Sequence, residues 1–201
     1  MKAVFLALVF LIVVVCAAAG TVAYSIASRG LSTRVEPSRA EEILARSMRR
    51  LATPGAVRSR RNPVEASKEV LDEALGHFAD HCAACHANDG SGDTAMGRSF
   101  YPKAPDMRRA ATQSLTDGEL FSIIENGIRL TGMPAWGTPS PEDDAETWEL
   151  VHLIRHLPRI TPEELEEMKA LNPTTRKELE EEEAARRFLA GEAPAPAAHR
   201  H

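Results

Sequence analysis

Residues 82–86 read Cys-Ala-Ala-Cys-His, two thiols three positions apart with an imidazole directly after them. On a helical turn, residues three apart share a face, so both sulfurs point to one side and His86 closes the same turn. Three chemistries use such a pair. A zinc site needs two further Cys or His ligands at a characteristic short spacing, and after His86 neither residue type recurs before His152. Thiol redox chemistry needs a βαβ surrounding, which the flanking sequence lacks. The remaining reading is the C-x-x-C-H attachment site of a covalent haem c, in which Cys82 and Cys85 add to the two vinyl groups along one porphyrin edge and His86 turns its imidazole to the iron.

A six-coordinate iron needs a second axial ligand, and the Met and His residues downstream are the candidates. Met133 lies 47 residues beyond His86 in the loop Thr131-Gly132-Met133-Pro134-Ala135-Trp136-Gly137. There glycine permits close approach and proline stiffens the backbone that would present the sulfur. Trp136, in the same loop, is a candidate haem-contact residue. Met96 stands only ten residues from His86, with little chain to cross to the opposite haem face. Met107, after Pro105-Asp106, is better placed to pack on the porphyrin. His152 and His156 fall on a helix where packing or surface roles suffice, and a bis-His site is the alternative to a His/Met pair.

Around the motif the pattern is helical. One helix is expected from about Glu65 to Asp80, ending at the cysteines. A second spans about Thr116 to Asn126, opened by Thr116-Asp117 with Glu119 in the capping-box position. A third covers about Pro141 to Leu157, with Trp148, Val151, Ile154 and Leu157 on one face and Pro158 as its stop. No segment between them reads as a strand. Residues 88–112 and 128–140 hold much of the Gly and Pro and are expected to be loops. With aromatic residues at only 5% of the chain, a domain of this size has few large side chains for its core, and a bound cofactor would supply part of it.

Upstream, Ala3 to Tyr24 is a run of 22 residues without a charge, about 33 Å as a helix and enough to cross a bilayer core. A cleaved secretory signal is the competing reading, with Lys2 as its basic start and Ala17-Ala18-Ala19 as a cleavage-like site. The run outlasts an ordinary signal core of about 7–15 residues, so an anchor in residues 1–27 is expected. Cys16, inside the run and preceded by Val13-Val14-Val15, reads as apolar filler rather than a lipid attachment site. With one cysteine here and two in the motif, no disulfide framework is expected.

Charge is unevenly spread behind the anchor. From Ser28 to Pro63 nine Arg face three Glu, a net of +6, whereas from Val64 to Arg159 eight Lys or Arg face sixteen Asp or Glu, a net of −8. Residues 28–63 therefore read as a basic stalk. Within it Ala40 to Ala52 has Ile43, Leu44, Met48 and Leu51 at helical spacing, a short amphipathic helix expected to pack on the domain, with a membrane-surface role as the alternative because Arg46, Arg49 and Arg50 cluster near the bilayer. Pro54-Gly55 and Asn62-Pro63 break the chain before the main domain, residues 64–160. Residues 161–201 form an acidic tail, expected to be a solvated helix with a frayed end. A metal site at His199 and His201 has little to recommend it.

These features together resemble the class I, single-haem cytochrome c family in its membrane-anchored bacterial form. The resemblance covers about Val64 to Pro158. It rests on the Cys82-Ala-Ala-Cys85-His86 helix end, the Pro105-Asp106-Met107 step, the Gly-Met-Pro loop at Met133 and a closing helix with Trp148. It implies an all-α fold around one covalent haem in which the first and last helices cross, with Phe78 and Trp148 as the aromatic pair and Ala74 where the family usually has glycine. It implies that the Pro105 carbonyl accepts a hydrogen bond from the second nitrogen of His86. Haem attachment in this family takes place outside the cytoplasm, which implies a periplasmic domain on the bacterial inner membrane. Arg29, Arg34 and Arg39 after the span argue the other way by the positive-inside rule, but large domains translocate largely regardless of flanking charge.

The expected function is one-electron transfer between respiratory complexes by an electron carrier rather than an enzyme, with redox proteins as partners and neither nucleic acid nor a small-molecule substrate. The alternative is a haem subunit fixed in a larger dehydrogenase or oxidase complex, docked through its tail. An acidic domain is suited to partners with a basic patch.

Overall fold

The computed structural model describes residues 2–30, 32–138, 141–174 and positions 184, 186, 187 and 189. Among the described residues every regular element is helical. Helix α1 (Lys2–Arg29) is the apolar run; within its candidate span Lys2–Ser25 the most apolar 18-residue window has a mean hydropathy of 3.0, and none of that window is buried. In length and composition it fits a single-pass membrane anchor.

Helix α2 (Arg39–Ala52) starts on a complete capping box. Ser38 Oγ accepts the Glu41 amide and the Glu41 carboxylate accepts the Ser38 amide. Its apolar side chains do not pack on the domain as expected: Ile43 is 67% exposed, Leu44 and Met48 61%, and Leu51 86%. The residues after α2 do pack. The short helix α3 (Gly55–Arg58) lies on α7 (Asp117–Asn126), so close that a side chain at Gly118 would come within 2.0 Å of the Val57 carbonyl. Arg60 lies over the rings of Phe121 and Trp148, at 4.3 and 5.1 Å. The Asn62 side chain donates to the Trp148 carbonyl at 2.8 Å, and the His152 ring bonds the Val64 carbonyl at 2.9 Å. The second half of the stretch read as a stalk is thus part of the domain wall.

Helix α4 (Lys68–His77) begins three residues later than expected, because Ser67 Oγ accepts the Val70 amide and sets the first turn there. It also does not end at the cysteines. The helix widens over Phe78–Cys82, where the Ala83 amide bonds back five residues to the Phe78 carbonyl, and resumes as α5 (Ala83–His86). One-turn widenings of this kind concentrate at functional sites. Helix α6 (Ala110–Gln113) is a single turn. Helix α7 (Asp117–Asn126) has the expected capping box between Thr116 and Glu119. Helix α8 (Pro141–His156) ends where Pro158 is expected to stop it, and a tight turn, Leu157–Arg159, follows.

The core forms where α4 meets α8, as the resemblance implies. Ala74, Leu75, Phe78 and Ala79 face Leu150, Val151, Leu153, Ile154 and Leu157, all buried. The small Ala74, 1% exposed, keeps the contact close. Leu120, Phe121 and Ile124 of α7 complete the layer, with Phe121 stacked on Trp148 at 4.2 Å.

Helix α9 (Pro162–Leu171) corrects the reading of the tail. Its acidic composition concealed a core residue: Met168 is 0% exposed, and Leu165 packs beside the same cluster. Asn172 then donates to the Ala79 carbonyl at 2.8 Å, and its side chain bonds that of Asn88. The domain therefore extends to about residue 172. Met168→Ala is expected to lower the unfolding free energy by about 2–5 kcal/mol, measured by urea titration of the haem-loaded protein, with the visible spectrum unchanged. The rest of the tail lies mostly outside the described residues, and His199 and His201 lie wholly outside them.

Candidate functional site

Cys82, Cys85 and His86 sit at the end of the long helix, half-buried, with both thiols free. Burial, and secondarily Cys85, pushes the Cys82 thiol up to about 12, and burial raises Cys85 as well. Reactive or metal-binding cysteines need the thiolate and sit where their pKa is lowered; this environment does the opposite. Among the described residues no group of three His, Cys, Asp or Glu side chains gathers as a metal cluster. The thiol-redox and zinc readings of the motif therefore find no support in their surroundings.

Burial lowers the pKa of His86, so its ring is neutral at pH 7 and carries a free lone pair. Its Nδ1 is buried with no hydrogen-bond partner. The bond to the Pro105 carbonyl implied by the resemblance is therefore not made. That carbonyl instead faces Gly92, where it would lie 3.1 Å from a side chain. Buried polar atoms are almost always paired. An unsatisfied neutral imidazole beside two un-ionised thiols fits a covalently bound haem, which takes one ring nitrogen as an iron ligand and both sulfurs as thioethers.

The loop after α5 folds tightly over the end of that helix. The Gly92 amide donates to the His86 carbonyl at 2.8 Å, and Thr94 Oγ1 donates to the Cys85 carbonyl at 3.2 Å. A side chain on Gly97 would come within 2.3 Å of the Cys85 carbonyl, so only glycine fits there. Asp106 fixes the far end of the loop: hydrogen bonds from the Arg108 guanidinium, then from the Arg108 backbone and Arg109, hold its carboxyl at about 2, and Arg108 also reaches Asp89 at 2.7 Å. Met107 is buried in the core, whereas Pro105 and Met96 are exposed.

The loop holding Met133 is stitched to the end of α7. The Ile128 amide bonds the Met133 carbonyl, and the Trp136 and Gly137 amides bond the Ile124 and Glu125 carbonyls at 3.0 and 3.1 Å. Gly127, at φ +63, makes this return possible; a side chain there would strike Met133 and Pro134 backbone atoms. Met133 is half-buried. Two contacts bring its loop to the rest of the site. Trp136 meets His81, the neighbour of Cys82, edge-on at 5.8 Å, and Gly132 lies against the Phe100 ring, where a side chain would come within 2.5 Å. The rings of His152 and His156 are engaged by the Val64 carbonyl and the Glu164 carboxylate.

Phe100, Thr94, Gly92 and Gly97 escape a reading by motif. Their only signal is the density of glycine after His86, which marks a tight loop without saying what it closes on. A family model described as cytochrome C oxidase, cbb3-type, subunit III, matches residues 70–154. These residues belong to the class I c-type cytochromes. The matched stretch of this cytochrome domain runs from the first turn of α4 through the C-x-x-C-H motif and the Met133 loop to the last turn of α8. Membership supports electron transfer through a haem and implies that the haem is covalent. The packed segments on either side, residues 54–64 and 157–172, extend the cytochrome domain beyond the match.

Proposed function

We propose that this chain is a membrane-anchored cytochrome with a single haem c, bound by Cys82 and Cys85 and ligated by His86 and Met133, that passes single electrons between proteins of a respiratory chain. The observation that carries the reading is the buried, unpaired Nδ1 of His86 beside two free thiols at a helix end, inside a stretch that matches a cytochrome family.

When bound, the haem supplies a one-electron iron couple. The protein's part is to orient, tune and shield it. His86 is oriented by the helix end and by the Gly92 amide on its carbonyl. Met133 is favoured over His152 and His156 because both histidine rings already have partners, and a thioether raises the reduction potential relative to a second imidazole. Met107 and Trp136 would contact the porphyrin, and Pro105 would lie at its rim. If His86 and Met133 both held the iron, no site on it would be left for a substrate, which favours a carrier over an enzyme. The covalent attachment expected of the family supports a domain on the periplasmic side of the bacterial inner membrane, with α1 as the anchor.

A second reading, a haem subunit fixed in a larger oxidase complex, is favoured by the description of the matching model, which is that of an oxidase subunit. Purification in mild detergent followed by a high-salt wash distinguishes them. A free carrier is expected to elute alone and to titrate as one one-electron couple with one haem per chain. A stoichiometric partner that survives the wash would establish the fixed subunit instead.

A further inference from the structure

Helix α2 leaves an apolar stripe uncovered although both of its ends are fastened to the cytochrome domain. Ile43, Leu44, Met48 and Leu51 are all more than 60% exposed and share one side of the helix. At the N-terminal end Tyr101 donates to the Glu41 carboxylate at 3.0 Å and Lys103 pairs with Glu36. At the other end Arg58 donates to the Arg50 and Thr53 carbonyls at 2.8 and 2.9 Å, and α3 then continues onto α7. The stripe cannot roll inward to the domain without breaking these ties.

We propose that α2 lies in the head-group layer of the membrane that α1 crosses, with its apolar stripe toward the acyl chains and its arginines on anionic lipid phosphates, so that the domain stands on the bilayer in one orientation. The inference rests on reading α1 as a membrane span. Three observations favour lipid over another occupant. Nine residues separate α1 from α2, a reach of at most about 30 Å even when fully extended, so the chain itself keeps α2 at the surface. The helix carries four Arg against two Glu, the composition of interfacial helices that bind anionic lipids. Arg39, Arg46 and Arg50 flank one edge of the stripe, where long stems can lie along apolar surface while the guanidinium groups meet phosphates.

The test uses the full-length, haem-loaded protein in vesicles of phosphatidylcholine and phosphatidylglycerol. Single nitroxides are placed through Leu44→Cys, Ala45→Cys, Met48→Cys and Arg49→Cys, each in a Cys16→Ala background. Collisions with oxygen, which concentrates in the bilayer, and with a water-soluble nickel complex are measured against a nitrogen baseline. The ratio of oxygen to nickel collisions is expected to be several-fold higher at 44 and 48 than at 45 and 49. Replacing Arg39, Arg46 and Arg50 by Gln is expected to lower the ratio at 44 in anionic vesicles and leave it unchanged in vesicles of phosphatidylcholine alone. A label on Cys16 of the otherwise native chain reports the span separately. Nickel contact throughout α2 with Cys16 in the bilayer would overturn the interfacial helix while leaving the anchor intact. Shielding of 44 and 48 from both reagents would show a protein neighbour on the stripe and overturn it equally, and nickel contact at Cys16 would sink the anchor and this inference together.

Discussion

Replacing Cys82 and Cys85 together by Ala is expected to leave the chain without covalent haem, whatever the maturation capacity of the host. Both thiols are free and half-buried at one helix end, and each offers one attachment point. The effect should reach beyond colour. The core between α4 and α8 is built largely of Leu, Val, Ile and Ala with only Phe78, Phe121 and Trp148 as large buried rings, which is little packing for a domain of this size. The double variant is therefore expected to lose its cooperative thermal transition by circular dichroism as well as haem staining on a denaturing gel. Haem that stays with the denatured double variant would refute the assignment of these two residues.

The second large effect concerns Met133. A thioether–iron bond from Met133 is expected to give the oxidised native protein a weak long-wavelength charge-transfer band, and Met133→Ala is expected to remove it completely. The reduction potential should fall, because a soft sulfur ligand that stabilises the ferrous state has been lost. The reduced native protein should bind carbon monoxide slowly and the variant rapidly, since an axial position opens. Helix content should hardly change: the loop is held by backbone bonds from Ile128, Trp136 and Gly137 rather than by the Met133 side chain. A band that survives in the variant would return attention to Met96, and a native protein that lacks the band would point to a histidine, although His152 and His156 would first have to leave Val64 and Glu164.

What could be read from the chain depended on whether the signal was local. The C-x-x-C-H motif, the Thr116–Glu119 cap and the α8 periodicity act within a few residues of where they are written, and each element forms where they point. The widened turn at Phe78–Cys82 was not legible, because a shift from four-residue to five-residue bonding leaves no mark on composition. Distance defeated the reading of the flanks. Arg60 reads as one more stalk arginine until Phe121 and Trp148, far along the chain, arrive beneath it. Met168 looks solvated among glutamates until its helix closes over the domain. At the site, the motif named its own three residues, but the partners that close the loop over them, Thr94 and Gly97 above all, come from a segment whose composition says only that it turns. The bond between Pro105 and His86 is an expectation by likeness to the family, and Nδ1 of His86 is instead unpaired.

The wall formed by residues 54–64 has a practical consequence for anyone preparing a soluble fragment. Asn62-Pro63 is the inviting place to cut, since composition changes there from basic to acidic. A cut at that point would remove Arg60 from the faces of two core rings and Asn62 from the Trp148 carbonyl, and would strip α3 from the surface of α7. The natural boundary lies upstream, at the break between α2 and Pro54, where α3 stays whole and the aromatic pair keeps its roof.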